Sequence, residues 1–247
     1  MNPSRHATLF SGFVLAAVLL VSETLTPAQN ASEKAAPRLS PEVIAKLSEA
    51  QELQGRQRFV DALAKLDEVE AIAPDLTELH NLRGSIFLSP SLRDFDKAEF
   101  HFNRAKELDP NGIGPRFNLA ELLFVKHDFK AALEAFEQIL KDYPKIPLGI
   151  RHLILFKSLI CDVKLDKAAE AEAIITDHFT FMDDTPAYYY SKAALAFQAD
   201  KEDEGKAWIA RAESIFKPQE NAAYNDTMME VRWVMNIGLP PVKKDGQ

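Results

Sequence analysis

The segment Asp128-Phe129-Lys130-Ala131-Ala132 decides the fold, because it returns along the chain at a nearly fixed interval. Its counterparts are Arg58-Phe59-Val60-Asp61-Ala62, Asp94-Phe95-Asp96-Lys97-Ala98 and Lys164-Leu165-Asp166-Lys167-Ala168. Each carries a large apolar residue three places before an alanine, and the alanines step by 36, 34 and 36 residues. A fainter fifth copy puts Ala207 another 39 residues on. Self-similarity at such a period points to stacked supersecondary units.

Each copy continues as an apolar stripe at helical spacing: Ala62, Leu66 and Val69, then Ala98, Phe102 and Ala105, then Ala132, Phe136 and Ile139. Pro74, Pro110 and Pro144 close the first three units in phase with the alanines, since proline lacks the donor a helix interior needs. The half before each alanine is also helical, as in Leu79, Leu82, Ile86 and Phe87, or Phe117, Ala120, Leu123 and Phe124. A small residue (Ala50, Gly84, Ala120) lets the first helix of a unit lie close to the second. Neither helix can bury its stripe alone, so the units must stack.

This pattern resembles the tetratricopeptide repeat, which pairs two antiparallel helices in about 34 residues. The residues that carry the likeness are Gly84 or Ala120, Phe95 or Phe129, the alanines, Phe102 or Phe136, and Pro110 or Pro144. The resemblance implies an all-α, right-handed α-solenoid of four to five hairpins over residues 40–218, with units near 43–76, 77–112, 113–146, 149–182 and 186–217. Lys46, His80 and Arg116 stand where the family carries a bulky first-helix tryptophan, and the second unit has two extra residues around Ser89-Pro90-Ser91. Gly205 is read as the turn of the weak fifth copy. Residues 219–239 are expected to form a capping helix, with Tyr224, Met228, Val231 and Met235 on its apolar stripe and Gly238 at its end, and 240–247 a polar tail.

Ahead of the repeats, Arg5 and His6 precede a thirteen-residue apolar run from Leu9 to Val21, too short to span a bilayer as a helix. With the small residues around Ala28, this reads as a secretory signal over 1–28, followed by a flexible leader over 29–39. The expected location is periplasmic or extracellular, with no membrane insertion after cleavage; the alternative is an uncleaved N-terminal anchor. Ser40-Pro41 then opens the first helix as N-cap and first helical residue.

Composition excludes several activities. The chain has 247 residues, 29 Lys+Arg against 37 Asp+Glu, and a net charge of −8, which opposes nucleic-acid binding. One cysteine, Cys161, excludes an internal disulfide and a thiolate zinc site. Nine glycines are about half the usual share of roughly 7%, and no glycine-rich phosphate loop occurs. The six histidines never pair three or four apart on one helix, and no hydrolase or zincin motif appears. No catalytic, metal or cofactor site is therefore expected. Asp183-Asp184 beside Thr185-Pro186 reads as a helix N-cap rather than a metal site. Of Tyr188, Tyr189 and Tyr190, one or two should pack inside, since consecutive helical residues point about 100° apart.

The expected activity is binding. In the family, first helices line a concave groove that takes a peptide or a helix of a partner. Carried over by alignment, the groove here comprises Gln51, Asn81, Ser85, Leu88, Phe117, Glu121, Phe124 and Lys157, with Phe117 and Phe124 as aromatic anchors. The family's carboxylate clamp has no cation at the matching positions Leu47, Gln51, Leu82, Gly114 and Asn118. The alternative is a structural subunit that assembles through its C-terminal cap in an envelope complex; the oligomeric state is open.

Overall fold

The computed structural model describes residues 39–234. The signal, most of the leader and the tail lie outside them, as do Met235 and Gly238. The described residues form eleven α-helices: α1 Pro41–Gly55, α2 Phe59–Ile72, α3 Thr77–Leu88, α4 Phe95–Leu108, α5 Ile113–Val125, α6 Phe129–Asp142, α7 Leu148–Lys164, α8 Ala168–His178, α9 Ala187–Gln198, α10 Glu202–Ile215 and α11 Pro218–Glu230. There is no strand among them, and no helix long and apolar enough to cross a membrane. The expected all-α solenoid of helical hairpins is what the chain forms: five hairpins, then α11. Two compact units divide the chain, Met1–Leu122 and Leu123–Gln247, with the boundary inside α5.

In the first unit α1 packs on α2, α3 on α4, and α2 and α1 on α3. Ser40 caps α1, the Val43 N–H donating to its Oγ at 3.2 Å, with Pro41 at the first helical position. The stripes Val43, Leu47 and Ala50, Ala62, Leu66 and Val69, and Leu79, Leu82 and Ile86 form one core cluster. Gly84 lets α3 approach α4: a Cβ there would overlap the Phe102 ring. In the second unit α7 packs on α6, α8 and α9, and α9 on α10. There the relation is inverted, because Gly205 on α10 receives the ring of Phe197 from α9, with a Cβ only 2.7 Å from that ring.

Gly205 is thus a packing residue inside α10, not a turn. It takes the place expected of Ala207, which is exposed, just as Ala171 takes the place of the exposed Ala168. The buried small residues are Ala62, Ala98, Ala132, Ala171 and Gly205. The slip arises because α7 carries an extra N-terminal turn, which pushes everything after it downstream.

A second marker runs in step. Gln57, Arg93, His127, Asp166 and Asp200 have φ of 58°, 47°, 61°, 59° and 56°, each five residues before the buried small residue. These left-handed residues reverse the chain. The following N–H then reaches back to a first-helix carbonyl, as from Arg58 to Leu53, Asp128 to Leu123 and Lys201 to Ala196. Asp94 and Asp128 next cap the second helices, accepting from the N–H groups of Lys97 and Ala131. None of the turn residues is glycine, and a left-handed conformation costs an L-residue about 1–2 kcal/mol. Gln57→Gly is expected to raise stability by about 0.5–1 kcal/mol, after glycine's greater entropy loss is deducted. Urea denaturation followed by far-UV circular dichroism checks it; an unchanged or lower midpoint would refute the strain.

The C-terminal helix is shorter than expected. It stops at Glu230 rather than near Gly238, because Arg232 (φ 64°) turns the chain and the Trp233 N–H bonds to the Met228 carbonyl. That turn has the backbone geometry of the earlier hairpin turns. Its stripe residues Tyr224, Met228 and Val231 are buried as expected.

The connection between α8 and α9 also departs from expectation. Asp183 does not cap α9; its carboxylate accepts from the Thr180 N–H at 2.8 Å and from the Thr180 hydroxyl at 2.9 Å, closing its own loop. The N-cap is Pro186, with no side-chain bond. Thr185 is turned inward instead, its Oγ1 2.7 Å from Nδ1 of buried His152.

Candidate binding surface

Within the first unit, the first helices α1, α3 and α5 are tied by polar rungs. Gln54 Nε2 donates to Ser85 Oγ at 2.8 Å, and Asn118 Nδ2 donates to Asn81 Oδ1 at 3.0 Å. Beside these rungs Gln51, Asn81 and Glu121 are half-buried, whereas Ser85, Leu88 and Phe117 are buried, so Phe117 is not the open anchor expected of it. Of the expected groove residues in this unit, the half-exposed ones are therefore the neutral amides and one carboxylate. Amides offer donors and acceptors together, the complement of an extended backbone.

Behind that face, α3 and α4 bury a histidine pair. His80 and His101 approach Nδ1 to Nδ1 at 3.1 Å, and His80 Nε2 is 3.1 Å from the Pro74 carbonyl oxygen. The carbonyl can only accept, so His80 carries its proton on Nε2. Its Nδ1 lone pair then accepts from the Nδ1–H of His101. Phe87 stacks on His101 at 5.7 Å. Burial is the main cause holding both rings neutral: His80 lies below the ordinary imidazole range and His101 falls to about 4. Arg83 lowers both further, Arg104 lowers His80, and the neighbouring Glu70 opposes. Spacing along one helix could not disclose this pair, because its members are 21 residues apart on two helices.

In the second unit the corresponding face is aromatic and covered. Phe124 has no exposed surface; its ring meets Phe129 edge-on at 5.6 Å and Phe136 at 6.5 Å. The expectation of Phe124 as an anchor for a partner is corrected on this point, since the ring is spent in its own core. Lys157 is also buried, with its ammonium 4.8 Å from the Phe124 ring and donating to Thr227 Oγ1 on α11 at 2.9 Å. Tyr190 is fully buried, Tyr189 nearly so, and Tyr188 half-buried. Cys161 is a buried free thiol. Among the described residues no three His, Cys, Asp or Glu side chains gather as a metal site.

Solved structures share this arrangement. One is a tetratricopeptide repeat protein from Parabacteroides merdae: 16% identity, 75% of this chain and 71% of that chain covered, TM-score 0.59. The fold is the tetratricopeptide repeat. PilW, described as a widely conserved type IV pilus biogenesis factor, matches over 79% of this chain and 91% of its own at 16% identity and TM-score 0.58. PilF of Pseudomonas aeruginosa matches over 77% and 92% at 13% identity and TM-score 0.55. No protein-family model and no curated protein matches the sequence. The repeat fold explains why chemistry-bearing residues are dispersed here. Each hairpin offers the next a packing face, which leaves a row of first-helix side chains.

Proposed function

We propose that the chain is a non-catalytic protein-interaction module of the cell envelope, holding an extended segment or a helix of a partner along its first-helix faces. The observation that carries this reading is the half-exposed row Gln51, Asn81 and Glu121 beside the Gln54–Ser85 and Asn118–Asn81 rungs. Backbone-complementary amides on helices already ordered by stacking can take a ligand with little loss of entropy. The repeat fold, shared with a pilus-biogenesis factor, and the apolar N-terminal run of residues 9–21 support an envelope setting.

Photo-crosslinking amino acids placed at Gln51 or Glu121 in growing cells test it, with Val60 on α2 as the outward control, 81% exposed. Both face positions should capture one common protein that Val60 does not. The chain purified from the same cells should begin near residue 29. Identical products from all three positions would sink the face assignment, and an intact Met1 would refute cleavage.

The alternative, a subunit that assembles through its C-terminal cap, is less well supported. Tyr224, Met228 and Val231 are already buried within the chain's own second unit.

A further inference from the structure

In a stack of hairpins each helix packs against its sequence neighbours, yet α11 does more. It packs on α10 and α9, and also on α7, two first helices back. The Tyr224 ring lies 5.1 Å from Phe156 of α7 and stacks on Tyr190 of α9 at 5.4 Å. Thr227 accepts from Lys157 of α7. Glu230 lies 3.4 Å from His127 at the turn between α5 and α6. Trp233, just past the helix, stacks on Phe197 at 6.4 Å and lies 4.0 Å beneath the Lys164 ammonium. Within the second unit, α11 thus lies along the row of first helices, touching side chains from three successive repeats, where a ligand of such a face would lie.

We infer that α11 is an intrachain ligand: it occupies the first-helix face of the second unit, and a partner helix of the same chemistry displaces it. Such a helix presents an aromatic ring for Phe156 and Tyr190, a hydroxyl three residues on for Lys157, a methionine after it and a carboxylate six residues on, the pattern of Tyr224, Thr227, Met228 and Glu230. Only Phe216 and Lys217 join α10 to α11, and Asn221 Nδ2 donates to both of their carbonyls, so α11 competes as a closely tethered ligand. What makes the cover exchangeable is its imperfect seat. Among the described residues, Tyr190 Oη beneath α11 and Asn221 Oδ1 on it are buried without a hydrogen-bond partner, and burial drives the Tyr190 phenol far above its ordinary range. An unmet buried polar atom weakens an interface that apolar area would otherwise hold tightly. A helix able to meet Tyr190 Oη would bind better than α11 does. This deepens the proposed function for the second unit, and its test does not depend on the first unit binding anything.

The probe is a fluorescein-labelled peptide of residues 217–234, titrated into the full chain and followed by anisotropy. A short tether gives α11 an effective concentration near millimolar, so the unaltered chain should bind the peptide only at very high concentration. Tyr224→Ala in the chain weakens the resident helix and should lower the half-point at least tenfold. Lys157→Met added to that variant should raise it again by a similar factor. Equal half-points with and without Tyr224→Ala would overturn the inference. So would an absence of binding to that variant up to about 1 mM, the scale of the effective concentration. Hydrogen exchange on the unaltered chain gives a reading independent of any variant. Amides of α11 should exchange at least tenfold faster than those of α7 and α9, and equal protection would refute an exchangeable cover.

Discussion

Replacing Phe102 with alanine will lower the stability of the first unit by about 3–5 kcal/mol, the cost of emptying a fully buried aromatic site. The ring sits against Gly84 of α3, and it can sit there only because residue 84 has no side chain. Gly84→Ala alone forces a methyl into the ring and should cost about 1–3 kcal/mol by overpacking. The double variant is the informative one. The methyl introduced at position 84 then enters space the ring has left, so the two effects should fall short of additivity by at least about 1 kcal/mol. Urea denaturation read by far-UV circular dichroism measures all three. Trp208 and Trp233 both lie in the second unit, so their emission serves as the internal control. Strict additivity would mean that Gly84 and Phe102 do not share one packing site.

Acid will destabilise the first unit through the histidine pair. In the folded chain His101 resists protonation down to about pH 4, because burial, the adjacent His80 and Arg83 all disfavour its charge. In the unfolded chain it titrates near its ordinary value of about 6.5. Between those limits the unfolded state binds the proton and the folded state does not, so stability falls as pH falls. The contribution is complete above about pH 6.5 and lost by about pH 4. Its size, after allowance for solvent screening at the edge of the ring, is on the order of 2–3 kcal/mol. His80, also held below its ordinary range, acts in the same direction. His101→Asn keeps an N–H donor close to the position of Nδ1 but cannot titrate. Its denaturation midpoint should fall less steeply between pH 6.5 and 4 than that of the unaltered chain. Parallel slopes would show that His101 does not govern the response.

The architecture was legible because repetition multiplies a weak signal. Phe59, Phe95 and Phe129 open their helices as the alignment requires, and Ser40 caps α1. The register failed where the chain departs from the period. An extra turn on α7 moved the packing residue from Ala168 to Ala171, and the small residue of α10 turned out to be Gly205 rather than Ala207. The left-handed turn residues keep better time, yet Gln57, Arg93, His127, Asp166 and Asp200 share a backbone angle and polarity but no one residue type that a motif could match. The site residues were harder still. Alignment put Gln51, Asn81 and Glu121 on a half-exposed face, but Leu88, Phe124 and Lys157 are buried. Lys157 donates to Thr227, 70 residues away on α11, a helix that pattern matching treats only as an end cap.

The glycine-free turns have a consequence for how such a chain can be tuned. Each reversal holds one residue in an unfavourable backbone angle, and no two of these residues belong to the same hairpin. A single exchange at a tip such as Asp200 can therefore tighten or relax one repeat without altering a packed side chain, whereas His127 also stacks on Phe129 and meets Glu230. The tips act as independent set-screws. Rigidity can be adjusted hairpin by hairpin, separately from whatever the faces recognise.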